Sequence, residues 1–177
     1  MVHGQDLLLK LLKSDTFWLP KGALPEQSIS DVYIGDVKLY GKLDNINNSK
    51  GTIVITDYKT GQPLPSLFTK NQTLAPKAWR QRTQLIFYTL LVKLSSRYKD
   101  AEGIKSQIIY LEASSPKQLI RELSPSTEEI NRLEKLVRVV WHKIMNLDFP
   151  NTDSYDNSFL GIQKFEDDLL NNNINPN

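Results

Sequence analysis

The sequence predicts an α+β fold, a mixed central sheet flanked by helices, on three observations. Between Ser28 and Thr60 apolar residues recur at every second position in three short runs separated by turn signals, which describes a three-stranded meander. Between Lys77 and Leu94 they surround a stretch too long for a strand, which describes a buried helix. Further strand-like runs and a closing helical segment follow, so the order is helix, meander, buried helix, more strands, closing helix. With 177 residues, 40% of them hydrophobic, the chain can build one real core but not two comfortable ones. We expect a single domain over residues 1–167 and a polar, disordered tail over 168–177, which ends in "NNNINPN".

The elements follow in order. "HGQDLLLKLLKS" carries leucines at 7, 8, 9, 11 and 12 and reads as a short helix with one apolar face. "SISDVYI" (28–34) and "VKLYGKLD" (37–44) flank Gly35-Asp36, a hairpin signal, and Val37, Leu39 and Leu43 share one face. "NINNSKG" (45–51) supplies the next turn. "TIVITDYKT" (52–60) is apolar on both sides and is therefore the central strand. "GQPLPSLFTKNQTLAP" (61–76) is too rich in proline for regular structure, and Pro76 suits the first residue of the following helix. "SQIIYLEA" (106–113) is a fourth strand with "KQLIREL" (117–123) as its edge partner. In the last helix Ser126 and Glu129 have capping-box spacing, and Ile130, Leu133, Val137, Val140, Trp141 and Ile144 share a face. There is no internal repeat.

Composition excludes several chemistries. There is no cysteine, hence no disulfide, zinc-thiolate site or iron–sulfur cluster, and any metal must take oxygen or imidazole ligands. No apolar run approaches the roughly 20 residues that span a bilayer, and the start lacks a signal-peptide pattern, so the expected compartment is the cytoplasm and no membrane partner is expected. Net charge is +2, which neither demands nor excludes nucleic acid.

The third strand carries the chemistry. Residues two apart share a strand face, so Ile53, Ile55, Asp57 and Lys59 point one way, apolar first and charged after. An edge ion pair between Asp57 and Lys59 is the bland account. Asp44, thirteen positions earlier, ends the preceding strand on this reading, and a hairpin with arms of about six residues would set it beside Asp57. Two carboxylates held so close favour a cation, and without thiols or a histidine cluster an oxygen-liking ion such as Mg²⁺ or Mn²⁺ is the natural occupant.

"GKLDNIN", "VITDYKTG" and "QLIFY", in this order and spacing, resemble successive motifs of the PD-(D/E)XK nuclease superfamily, whose nearest branch is the RecB-like exonuclease domain of bacterial helicase-nucleases. The resemblance covers about residues 24–112 and implies a restriction-endonuclease-like core. By it, Asp44 and Asp57 are metal-binding aspartates, the Tyr58 carbonyl is a further metal ligand, and Lys59 is the catalytic lysine. Gln84, with Tyr88 one turn on, is similar to the helix motif that contacts the substrate backbone. Glu26 resembles the acidic residue just before the first strand and is a further candidate metal ligand. Relatives carry a metal-binding histidine on an N-terminal helix, for which "MVHG" offers His3, only 41 positions before Asp44 (44 − 3). The alternative is a histidine upstream of an abrupt start, in which case the chain is the C-terminal part of a longer polypeptide.

The resemblance implies a metal-dependent deoxyribonuclease, an exonuclease, that acts on DNA in recombination or repair with a helicase domain or subunit. Some relatives hold an iron–sulfur cluster, which this chain cannot. Lys77, Arg80, Gln84 and Tyr88 are spaced as one helical row that would meet phosphates, with Arg80 the candidate substrate contact, although Lys77 fits a solvated edge as well. The rival from another class is an inactive nuclease-fold module for DNA binding or docking, indifferent to Asp57→Ala and to chelators. A small-ligand domain is the poorer third, since there is no glycine-rich phosphate loop.

Overall fold

The strand and helix propensities resolve into a five-stranded sheet backed by one long helix. The computed structural model describes residues 24–171; His3 and the helix expected over the leucine-rich start lie outside the described residues. In order they form β1 (Leu24–Ile34), β2 (Val37–Ser49), β3 (Thr52–Lys59), α1 (Ala75–Leu94), β4 (Gly103–Tyr110), a single turn α2 (Pro116–Leu119), β5 (Ile120–Leu123), α3 (Thr127–Met145) and α4 (Phe159–Leu170). The sheet runs β1-β2-β3-β4-β5. β1, β2 and β3 are the antiparallel meander, β4 lies parallel to β3 after the α1 crossover, and β5 is antiparallel at the edge. Among the described residues no helix is long and apolar enough to cross a membrane.

Several boundaries differ from expectation, each for a physical reason. β2 runs to Ser49, so Asn45 and Asn47 belong to a strand and not to a turn. Their backbones are paired with Thr56 and Val54, and the ladder satisfies them whatever their side chains prefer. The turn is only Lys50-Gly51, both at positive φ (51° and 86°). Asp44 is therefore inside a strand and not at its end. β1 begins at Leu24, which puts Glu26 within the strand instead of before it. β4 begins and ends three residues earlier than expected, and the first part of the expected edge strand is the turn α2. Part of the expected tail is folded: α4 takes in Asp168, Leu169 and Leu170, with Leu169 buried, and residues 172–177 lie outside the described residues.

The core lies between the sheet and α1. Leu85, Leu90, Leu91 and Val92 meet Ile55, Ile108 and Leu43, all fully buried. Gly41 lets the two layers touch, because a Cβ there would collide with Leu91 Cδ1. Four polar side chains inside the contact are paired. Thr89 Oγ1 donates to the Leu85 carbonyl at 2.8 Å and lies 2.7 Å from Ser106 Oγ, and Tyr110 OH donates to Gln81 Oε1 at 2.5 Å. At the far end of α1 the register slips between Ile29 and Val32, a bulge that re-aims side chains. Here the Asp31 carboxylate accepts from Ser95 Oγ, Ser96 N and Ser96 Oγ at 2.8–3.1 Å.

α3 packs its apolar face on α1 and opens with the expected capping box of Ser126 and Glu129. Only Ile130 of that face is fully buried; Val140 and Ile144 are exposed. α4 is tied in by Glu166, which accepts from Trp79 Nε1 at 3.1 Å and from Arg132 at 3.3 Å.

Candidate active site

The sheet brings the two aspartates together. Asn45 pairs with Thr56, so one step on in the same register Asp44 stands across from Asp57. Asp44 Oδ2 accepts the Tyr58 backbone N–H at 3.0 Å, which locks the first carboxylate to the residue after the second. Asp44 is exposed, whereas Asp57 is 2% exposed. One acid faces solvent and the other lies at the base of the site.

Asp57 follows Ile53 and Ile55 on a buried face and pairs in register with Ile108, which explains its burial. That burial pushes its carboxyl above the usual aspartate range; Lys59 opposes the shift and the negative Asp44 adds to it. Lys59 Nζ lies 2.8 Å from Asp57 Oδ2. No donor is aligned on that oxygen, which is sealed from solvent, so we read the contact as an ion pair and not as a directed hydrogen bond. Lys59 Nζ also donates to Gln84 Oε1 at 2.8 Å, and Gln84 Nε2 donates to Tyr88 OH at 2.9 Å. A continuous relay therefore runs from the buried acid through the lysine to one face of α1. Burial pushes the Tyr88 phenol up, so it stays neutral and keeps Gln84 oriented across the ordinary pH range.

The donor set suits a hard cation. A buried carboxylate oxygen without an aligned donor, a second carboxylate on the next strand and the carbonyl of Tyr58, whose own N–H is fixed by Asp44, offer oxygen only, as Mg²⁺ and Mn²⁺ prefer. Among the described residues no three His, Asp or Glu side chains gather as a metal group. Among the described residues two aspartates are then the charged contribution, and the carbonyl and water would add to the shell.

Other candidates are placed differently. Glu26 also falls in line with Asp44, since its neighbours Pro25 and Gln27 pair with Asn45 and Leu43. Its backbone is left-handed (φ 52°), and its carboxylate turns to Lys42 at 2.8 Å, with both side chains exposed. The structure does not bring it to Asp57. Arg80 is exposed on α1. Lys77 is turned to the connecting loop, donating to the Gln62 carbonyl at 2.9 Å. His142 faces Asp36 at 3.7 Å instead of the acids. Sequence reasoning missed Gln81 and Tyr110, which anchor α1 beside the relay. The signal for them is the parallel register that pairs Lys59 with Tyr110, and pairing across an intervening helix has no short-range mark in the sequence.

A family model described as the PD-(D/E)XK nuclease superfamily matches residues 10–156, a span that holds Asp44, Asp57, Lys59, Gln84 and Tyr88 but not His3. Among curated proteins no relative matches the chain.

Proposed function

The chain belongs to the PD-(D/E)XK nuclease superfamily, and on that premise we propose that it is a metal-dependent deoxyribonuclease domain, an exonuclease of the RecB-like kind that works with a helicase domain or subunit in recombination or repair. One observation carries the reading: Asp44 and Asp57 stand opposite each other on adjacent strands, with Lys59 held between Asp57 and Gln84. Asp44, Asp57 and the Tyr58 carbonyl would hold Mg²⁺ or Mn²⁺, which supplies positive charge beside the scissile phosphate and makes a nearby water more acidic. Lys59 Nζ, fixed on two sides, orients the attacking water. Gln84 holds that ammonium in place, and Tyr88 fixes the amide of Gln84. Arg80 lies exposed on the same helix, where it would meet a phosphate.

The test is cleavage of labelled single- and double-stranded DNA with Mg²⁺ or Mn²⁺. Product should form, and disappear in Asp57→Ala and on chelation. Intact DNA under every condition, for this chain and for its natural full-length protein, would sink the proposal. A second reading, a DNA-binding or docking module without activity, draws on the two-carboxylate donor set and on Lys59 already seated on Asp57. It predicts DNA affinity that is indifferent to Asp57→Ala and to chelators.

A further inference from the structure

We infer that the chain carries a second nucleic-acid surface, a groove on the far side of α1 that holds a single-stranded segment outside the acidic site. It extends the nuclease reading, since the ligand is the same polymer. The groove, of about 530 Å³, lies between the loop that follows β3, the first half of α1 and the start of α4. Ala75, Ala78, Trp79 and Arg82 line it from α1. Their spacing of three and four makes one helix face, and Arg82 stands about 200° round the helix from Gln84 at 100° per residue. The groove and the acidic site are therefore on opposite sides of one helix.

Its chemistry points to a polyanion with flat rings. Phe68, Trp79 and Phe159 contribute aromatic surface, Lys70 and Arg82 contribute charge, and among the described residues no carboxylate lines it. Phe68 is 57% exposed although the Arg82 guanidinium already stacks 5.1 Å from its ring centre. That arrangement is a platform for a base, with a cation beside it for phosphate. Arg82 Nε is sealed from solvent and out of a ligand's reach, so a phosphate would be met by the terminal nitrogens of the guanidinium. The loop is also fixed in advance. Its Gln62 carbonyl is held by Lys77 at 2.9 Å and its Leu64 carbonyl by Arg121 at 2.8 Å, and Asn71 Oδ1 accepts from Thr73 N at 3.0 Å where α1 begins. This loop leaves directly from Lys59, so a strand emerging from the acidic site can follow it to Phe68 and Lys70. An apolar protein segment would gain little from two cations unmatched by an acid, whereas a nucleic-acid strand uses both features.

The experiment uses the full chain in chelator, so that nothing is cut, with fluorescent oligothymidylates of six and twenty nucleotides followed by anisotropy. The longer strand should bind more tightly. Phe68→Ala should weaken the twenty-mer about five- to hundredfold, the range for losing one stacked base, while Phe68→Trp retains it. Lys70→Ala should lower the salt slope by about one. Unaltered twenty-mer binding in both Phe68→Ala and Lys70→Ala overturns the groove, and persisting cleavage then leaves the nuclease reading standing. Loss of binding in Phe68→Ala with no cleavage in any metal does the reverse. Equal loss in Phe68→Ala and Phe68→Trp would indicate a shape-fitted apolar pocket for a protein side chain, and would overturn the stacking platform.

Discussion

Asp57 is held in a place that suits its neutral form. Its folded titration point is raised by burial above the ordinary aspartate value, so the folded chain binds that proton more tightly than the unfolded chain. The stability it contributes is fully present below the unfolded value and is lost as pH rises through the folded one. Above that folded titration point, metal-free protein therefore carries a buried charge that Asp57→Asn would not. The asparagine variant should melt a few degrees higher without metal, given that about 1 kcal/mol moves a domain of this size by roughly 2–4 °C. The gap should close as pH falls to the ordinary aspartate range, and Mn²⁺ should stabilise the parent but not the variant. A parent that melts above Asp57→Asn at pH 7 in chelator would contradict this. Lys59 has a separable role: Lys59→Ala should leave calorimetric metal binding nearly intact and lower cleavage by roughly two to four orders of magnitude, as for a positioned acid–base group. Lost metal binding or a lost fold would make it a structural partner instead. Tyr88→Phe removes the acceptor for Gln84 Nε2, and a hydrogen bond worth about 0.5–1.5 kcal/mol predicts an up to tenfold fall in rate with binding preserved. Of this site, Asp57, Lys59, Gln84 and Tyr88 were legible because each sits in a local pattern, and Asp44 because a hairpin register is nearly local. The bond from Lys59 to Gln84 joins residues 25 apart and is set by how α1 docks, which no local spacing encodes.

At the scale of elements, the contact between β2 and α1 depends on the missing side chain of Gly41. A methyl group there meets Leu91 Cδ1, the end of a fully buried side chain that would have to shift. Gly41→Ala should cost about 1–3 kcal/mol by overpacking, and Leu91→Ala alone about 2–5 kcal/mol by leaving a cavity. Because the two changes share one volume, the double variant should cost less than their sum in urea unfolding. Additive values would mean that the sheet and helix part to relieve the clash. The closing helix offers a milder test: Ser126→Ala removes one half of the capping box and should cost about 1 kcal/mol. That helix was legible because its cap and its apolar stripe agree. α4 was not, since "SFLGIQKFEDDLL" follows a loop of asparagines and aspartates and has Gly161 in its first turn, a residue that argues against helix. Tertiary contact settles it, through Glu166 bonded to Trp79 and Arg132 and through buried Leu169, while Gly161 is required because a Cβ there would strike the Asp156 carbonyl oxygen. β2 is longer than its sequence suggests for a related reason: asparagines at 45, 47 and 48 suggest a turn, and only pairing with β3, joined at Asn45 by β1, makes them strand.

At the scale of the whole molecule, a net charge of +2 leaves affinity for DNA to local cations, and the fold distributes these around α1 instead of gathering them. Arg80 and Arg82 are about 200° apart on the helix, and Lys77 is turned to the Gln62 carbonyl. Lys70 and Arg82 share the groove, while Arg80 stands apart on the exposed surface. Each phosphate neutralised contributes about −0.9 to the slope of log affinity against log salt, so three such contacts predict a slope near −3 and weak binding at physiological salt. Because the cations lie on different sides of the helix, their losses should be independent. Arg80→Ala and Lys70→Ala should each flatten the slope by about one, and the double variant by about two. A strand that touches both sides must also wrap the N-terminal end of α1, so a six-mer should show the slope of one side only and a twenty-mer that of both. Weak, length-dependent binding of this kind is what the proposed delivery of a strand by a motor partner requires. Tight binding by the isolated chain that is unchanged between low and high salt, or a slope that Arg80→Ala and Lys70→Ala leave untouched, would count against both the distributed contacts and the delivery.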